Sequence, residues 1–274
     1  MVPGTVTPMH PVHAVALGAV EGFTEFLPIS STGHLILVSH LLRLRGDAID
    51  TFDVVIQSGA LVAILGLYRA RVASMWRGVW GGDADGRRLL INLLISFMPA
   101  AIIGVLLHRL IKATLFQLWP VIAALAAGGV LMLLADRLAQ GRQDPARTIT
   151  AMTPGQAFLI GGAQCLSLWP GTSRSMVTIV AGLLLGFPAA VAAEYSFLLA
   201  LPTLGAATLF DAANGGHAML QQIGPVSMLV GFASAAIVAA VAIRGFVGYL
   251  SRRGLAPFGW YRLALAVSVW SIVR

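Results

Sequence analysis

"EGFTEFLPISSTGHLIL", residues 21–37, sets two glutamates, a proline, a run of three hydroxyls and a histidine inside an apolar stretch. Every one of those groups is costly in hydrocarbon, so the segment needs a reason to exist in a membrane. The rest of the chain says that a membrane is the setting. Of its 274 residues 58% are hydrophobic and only 11% charged, and the mean hydropathy is +0.85. A water-soluble domain of that length needs more polar surface, so the composition predicts an all-α polytopic membrane protein. The formal charge of +7 comes from 18 basic against 11 acidic residues. In such a chain an arginine excess reports orientation in the bilayer and counts against nucleic acid as a partner. The single cysteine, Cys165, excludes an intrachain disulfide and multi-thiolate metal sites.

Apolar segments over residues 52–68, 89–108, 117–136, 193–211, 225–243 and 258–273 approach the roughly 17 to 25 residues that a helix needs to cross a bilayer. Two further segments, 10–42 and 155–186, are apolar but interrupted by "FLPISSTGH" and "SLWPGTSRS". Proline removes a donor and clashes with the preceding turn, while Ser and Thr favour the start of a new helix. Each interrupted segment therefore reads as helix, break and second helix, folded into a re-entrant hairpin.

The two breaks resemble each other. Sliding the chain by 142 puts Pro28 on Pro170, Ser30 on Thr172 and Ser31 on Ser173. A second match aligns "SFMPAAIIGVLLHRL" from Ser96 with "GFASAAIVAAVAIRG" from Gly231 at a shift of 135. The chain is then a single membrane domain, 1–274, made of two repeats, 10–136 and 155–273, each one re-entrant hairpin plus three transmembrane helices. Three crossings are odd in number, so the halves are expected with inverted topology.

One side of this arrangement receives eleven Arg residues, at 69, 71, 77, 87, 88, 137, 142, 147, 244, 252 and 253; the other receives five Arg or Lys, at 43, 45, 109, 112 and 274. The richer side is expected in the cytoplasm. The first hairpin then opens to the outside and the second to the cytoplasm, with their tips meeting at mid-membrane.

Irregular backbone at that depth is tolerated only where protein buries it or it lines a wet cavity. Glu21 and Glu25, four apart, share a helix face directed at the first break. Ser30 or Ser31 can cap the helix that follows, whose unpaired N–H groups and positive dipole end attract an anion. His34 is three residues beyond Ser31, a spacing that can bring imidazole and hydroxyl together. At the second break Thr172 and Ser173 start a helix whose Arg174 offers a fork suited to phosphate oxygens. A nucleophilic hydroxyl, a base, paired carboxylates, an arginine and two helix N-termini fit phosphoryl transfer. The hydroxyls of Ser30, Thr32, Thr172, Ser173 and Ser175, with Arg174, are candidate substrate contacts. No Walker sequence is present, which counts against a nucleotide-driven pump.

Each element has an ordinary structural explanation. A Ser-Ser-Thr run after proline is by itself a helix cap, a lone histidine is usually a packing residue, and an intramembrane arginine can simply pair with one glutamate. The second glutamate is then left uncompensated. Asp53, Glu194 and Asp211 fall near span ends, where snorkelling or capping explains them.

The stretches "EGFTEFLPISSTGHLILVSHLL", "FDVVIQSGA", "QCLSLWPGTSRS" and "EYSFLLALP", spread from residue 21 to 202, resemble the undecaprenyl-diphosphate phosphatase family of the bacitracin-resistance type. The resemblance implies a hydrolase acting on a phosphoric anhydride in the bacterial inner membrane, multi-pass, with its active site open to the periplasm. The substrate it implies is undecaprenyl diphosphate, cleaved to the monophosphate and phosphate to recycle the lipid carrier of cell-wall synthesis. It carries catalytic roles onto Glu21, Glu25, Ser31, His34 and Arg174: Ser31 as nucleophile, His34 or a glutamate as base, and Arg174 on the diphosphate. It also implies a divalent cation, Mg2+ or Ca2+, with Glu21 and Glu25 as its ligands, and allows a homodimer. The pattern S-R-S-G of the family reads S-R-S-M here, with Met176 where glycine would permit close packing or a special backbone angle. A lipid flippase or transporter is the competing class, because inverted repeats with broken helices suit transport equally well.

Overall fold

In a computed structural model of the chain, residues 9–273 are described, apart from Arg45 and Phe116. Arg45 and Arg274 of the charge tally lie outside the described residues, as do the side chains of Arg109 and Lys112. Among the described residues the regular structure is entirely helical. The first interrupted segment is α1 (Pro11–Thr24) and α2 (Ser31–Leu41), followed by α3 (Asp47–Leu67), α4 (Arg69–Val79), α5 (Ala84–Leu115) and α6 (Leu118–Ala139). The second is α7 (Pro154–Gln164) and α8 (Arg174–Leu184), followed by α9 (Ala189–Ile223), α10 (Pro225–Arg253) and α11 (Ala256–Val273).

Local chemistry explains the boundaries. Pro11 and Pro154 occupy the first turns of α1 and α7, where no N–H is required of them, and Thr153 with Gln156 closes a capping box on α7. The breaks end at Ser30 and Ser173, whose φ angles are 73° and 72°. Such left-handed values are uncommon outside glycine and store roughly 1–3 kcal/mol of strain each. Both hydroxyls then act as N-caps, accepting from the N–H of Gly33 and of Met176. The caps correct the alignment read from the sequence: Ser30 corresponds to Ser173, not Thr172, and Ser31 to Arg174. The second break holds one more residue between its proline and its cap, and it turns at Gly171, φ 93°. Met176 stands where Gly33 stands, in ordinary helix, and its side chain is fully buried in the core, so the position makes no demand for glycine.

All six expected spans have a helix. Among the described residues four helical stretches are long and apolar enough to cross a bilayer unaided: Ala84–Leu107, Trp119–Ala139, Ala189–Asn214 and Pro225–Arg253. Thr51–Leu67 and Arg69–Val79, bent by 83° at the break between them, count as a fifth when taken as one broken span. The arginine-rich α4 is therefore an element of its own, which the sequence reading lacks. Beyond it Asp83 accepts from the Gly86 N–H, the Ser74 hydroxyl and Arg77, in that order of weight, which holds its carboxyl below the usual value and fixes the turn into α5. A second difference is the length of α9. It passes the expected end at residue 211 and stops only at Gly224, φ 81°, followed by Pro225.

The two interrupted segments start near opposite ends of α9. The start of α1 lies at the α9–α10 turn, where the Met9 N–H donates to the Gln222 carbonyl and the Ser227 hydroxyl to that of Met9. The start of α7 lies beside the beginning of α5, where the Asn92 amide donates to the Met152 carbonyl. This second end gathers the arginines, tied by Arg71 to Glu194 at 2.7 Å and by Arg147 to the Leu185 carbonyl. Packing is reciprocal: α1 lies on α10 and α7 on α5, α3 meets α9, and α6 meets α11. Gly18 touches the backbone of Gly231, and Gly161 that of Ser96; a Cβ on either glycine would come within 2.2 Å and 2.5 Å of the facing carbonyl oxygen. Large side chains such as Val105, Leu106, Leu209 and Ile237 project outward, as lipid-facing residues do.

Candidate active site

The C-terminal end of α1 and the first residues of α2 and α8 converge inside the protein. Glu21, in the last turns of α1, is fully buried, and Glu25 follows as its C-cap with only 7% of its surface exposed. Ser31 is the first residue of α2 and Arg174 the first of α8, each one position past a left-handed serine. The Ser31 hydroxyl donates to Oε2 of Glu25 at 2.6 Å. The other carboxylate oxygen, Oε1, accepts from Nη2 of Arg174 at 3.1 Å, and Nη1 of the same guanidinium donates to the Ser196 carbonyl at 2.8 Å. Arg174 therefore meets Glu25, as an ordinary structural ion pair would, but its buried Nε has no hydrogen-bond partner. Phe26, with its ring centre 5.9 Å from the guanidinium carbon, packs against it.

This geometry joins an anionic acceptor, a hydroxyl and a cation in a site sheltered from water. A short hydrogen bond to a carboxylate orients the hydroxyl and marks where its proton would go. Ser31 and Arg174 also stand at helix N-termini, where first-turn N–H groups without an intrahelical partner favour an anion.

His34 departs from the expected arrangement. It does not contact Ser31: Nδ1 lies 2.7 Å from the Ser30 carbonyl oxygen, and Nε2 lies 2.7 Å from the Tyr261 hydroxyl. A carbonyl can only accept, so Nδ1 carries a proton, and Nε2 faces the Tyr261 hydroxyl. His34 and Tyr261 instead line an open apolar pocket of about 720 Å³ with Phe23, Leu27, Val38 and Phe258.

The remaining candidates divide between scaffold and site edge. Ser30 and Ser173 are caps. The Ser175 hydroxyl donates to the Leu27 carbonyl and lies 3.0 Å from that of Ser173, tying α8 to the first break. Thr172 is buried with its N–H on the Trp169 carbonyl, and Thr32 is half-buried. Glu21, like Nε of Arg174, stands outside this satisfied network: both of its buried carboxylate oxygens lack a hydrogen-bond partner. The charged groups around it are Glu25, Asp53 and Arg174. Asp53, near the start of the apolar stretch Thr51–Leu67, therefore stands at a span end and also within electrostatic reach of the site, while Glu194 pairs with Arg71 as a span-end residue would.

Orphaned carboxylate oxygens beside a second carboxylate are a donor set that suits a hard cation. Among the described residues no group of three or more His, Cys, Asp or Glu side chains is arranged to enclose one. The fit is therefore to an ion held by one or two protein carboxylates and completed by phosphate and water, which is the habit of Mg2+.

The sequence is similar to known proteins over nearly its whole length. The family described as "Bacitracin resistance protein BacA" matches residues 14–268. A relative from Sorangium cellulosum, named undecaprenyl-diphosphatase, is 50% identical over 94% of this chain and 85% of its own. Proteins of the same name from Solidesulfovibrio magneticus and Nitrosomonas europaea are 43% and 45% identical, covering 94% and 93% of this chain and 96% and 92% of theirs.

Proposed function

The chain belongs to the bacitracin resistance protein BacA family, and from that premise we propose that it hydrolyses undecaprenyl diphosphate to undecaprenyl phosphate and inorganic phosphate, and so confers resistance to bacitracin. The observation that carries the mechanism is the 2.6 Å hydrogen bond from Ser31 to Glu25. The Ser31 oxygen attacks the terminal phosphorus as its proton passes to Glu25. The bond from that phosphorus to the bridging oxygen breaks, undecaprenyl phosphate leaves, and the phosphoryl group stays on Ser31. Glu25 gives that proton up to the departing undecaprenyl phosphate, takes one from the water that attacks the phosphoserine, and returns it to the Ser31 oxygen as inorganic phosphate leaves, which restores the hydroxyl and the carboxylate.

Arg174 holds the equatorial phosphate oxygens through its unpartnered Nε and through Nη2, which exchanges Glu25 for substrate. Helix N–H groups at Ser31 and Thr32 and at Arg174 and Ser175 add preorganised dipoles where negative charge accumulates. Glu21, with Glu25, would hold the divalent cation, which when bound neutralises phosphate charge. His34 and Tyr261 border the apolar pocket next to the site, and His34 contributes by fixing the first turn of α2 through the Ser30 carbonyl.

The reciprocal packing of α1 on α10 and α7 on α5, and the Gly18–Gly231 and Gly161–Ser96 contacts, support an inverted repeat with boundaries near 10–136 and 155–273. The arginine-bearing end lies in the cytoplasm by charge asymmetry, which opens the first hairpin to the periplasm of an inner membrane. Opposite entry of the hairpins also suits transport of a prenyl phosphate, the alternative reading. Purified protein given a polyprenyl diphosphate decides between them. Release of inorganic phosphate, lost in Ser31→Ala, is the expected result; transport without release would overturn the hydrolase reading.

A further inference from the structure

Arg262, on α11, is fully buried, and the ion pairs among the described residues do not include it. Its guanidinium meets backbone carbonyls alone. Nη2 donates to Gly171 at 2.8 Å and to Ala124 at 2.9 Å, Nε to Leu125 at 3.3 Å, and Nη1 reaches Pro28 at 3.4 Å. Pro28 belongs to the first break and Gly171 to the second, while Ala124 and Leu125 belong to α6. A single side chain therefore bonds both irregular segments and a continuous helix.

The breaks create the need for it. Carbonyls at an interrupted helix lack the N–H that the next turn would supply, and an unpaired carbonyl in a buried membrane site is costly. Arginine suits the task because its planar fork presents five donors in fixed directions, and its charge cannot be shed. The space is prepared as well: a Cβ on Gly128 of α6 would lie 2.3 Å from Nη2 of Arg262.

We propose that Arg262 is a positioning residue, which fastens both breaks to α6 and so fixes the separation between Ser31 and Arg174. These two residues are bonded to the same carboxylate, yet each starts a helix anchored in a different hairpin. Nothing in the bond to Glu25 stops the two helix starts from shifting together with substrate binding; the clamp on the carbonyls just ahead of them does. Its charge is held against both breaks, with no ion pair among the described residues, and adds to the attraction for an anion. The inference rests on the hydrolase reading, since it concerns the geometry of that reaction.

The test uses the full chain in nanodiscs with Cys165→Ser, and spin labels at Ile36→Cys on α2 and Leu184→Cys on α8, both exposed positions. Gly128→Ala displaces the guanidinium and keeps its charge, Arg262→Lys keeps charge without the fork, and Arg262→Gln removes both. The expected result is a broadened label-to-label distance distribution in all three, with kcat reduced about tenfold or more and KM changed less than twofold. A parent-like distribution in Gly128→Ala and Arg262→Lys would overturn the proposal, whatever the activity. So would a lower unfolding temperature with distribution and kcat retained, which describes packing alone. Should Arg262→Gln fail to fold, the milder pair still decides. A parent chain inactive on prenyl diphosphates would sink the hydrolase reading, and the distance comparison would stand apart from it.

Discussion

Oε2 of Glu25 accepts a 2.6 Å hydrogen bond from the hydroxyl of Ser31, although one residue ends a helix and the other begins the next. His34, on the same helix as Ser31, is bonded elsewhere. Glu25→Gln should therefore lower kcat by about 10²–10⁴-fold, the usual worth of a general base, and His34→Gln by clearly less. Single-turnover kinetics on both variants gives the comparison; a larger loss in His34→Gln would transfer the role of base to the imidazole.

Ser31→Ala should abolish turnover and leave lipid binding largely intact, because it removes the attacking oxygen and little volume. With substrate labelled in its terminal phosphate, acid quenching of the parent should trap label on Ser31. Absence of label on the protein at any quench time, with turnover proceeding, would point to direct attack by water.

Arg174→Lys keeps the charge and loses the fork. It should reduce kcat/KM at least roughly tenfold, about 1.4 kcal/mol of transition-state stabilisation. Arg174→Ala should be worse and should also lower stability by roughly 3–5 kcal/mol, since Glu25 would be left buried without its cation. If lysine restores full activity and the alanine loss follows unfolding, Arg174 serves only as a counter-ion.

Glu21→Gln separates metal binding from stability. The amide replaces a buried carboxyl whose oxygens have no hydrogen-bond partner and which faces a second carboxylate, so the unfolding temperature in metal-free buffer should rise. The concentration of Mg2+ or Ca2+ needed for half activity should rise too, by about tenfold or more if one of two carboxylate ligands is lost. Unchanged cation titration would remove Glu21 from the metal site, and a chelator that leaves the parent fully active would remove the metal.

Orientation is open to labelling in intact cells with Cys165→Ser. Gly82→Cys, in the turn after α4, should react only from the cytoplasm; Gln222→Cys, at the end of α9, only from outside. Both positions are exposed. Reaction of both from one face would contradict the charge asymmetry on which the assignment stands.

The two breaks were legible because proline followed by hydroxyls has few other uses inside an apolar segment. Glu21 and Glu25 were legible from their four-residue spacing. The cap correspondence was misplaced by one residue because matching prolines hid the additional residue of the second break. Side-chain direction was not legible: spacing alone brings His34 toward Ser31, while Tyr261, 227 residues away, draws its ring elsewhere. Asp53 reads correctly as a residue near a span end, but its closeness to Glu21 emerges only when α1 and α3 are placed side by side. Arg262 stood outside the charge tally, lying within a span, and its partners are carbonyls, which every residue has and no pattern marks.

Glu25 waits for a counter-ion 149 residues further along the chain. At a synthesis rate of 5–20 residues per second, that interval is roughly 7–30 s. During it the nascent protein carries its first hairpin with two carboxylates and no arginine to receive them. The Glu25–Arg174 pair of the first hairpin can accordingly form only after the second hairpin has been synthesised. Proteins released early by a stop codon or a stalled ribosome before α8 hold Ser31 and Glu25 without Arg174, and are expected to be inert toward undecaprenyl diphosphate.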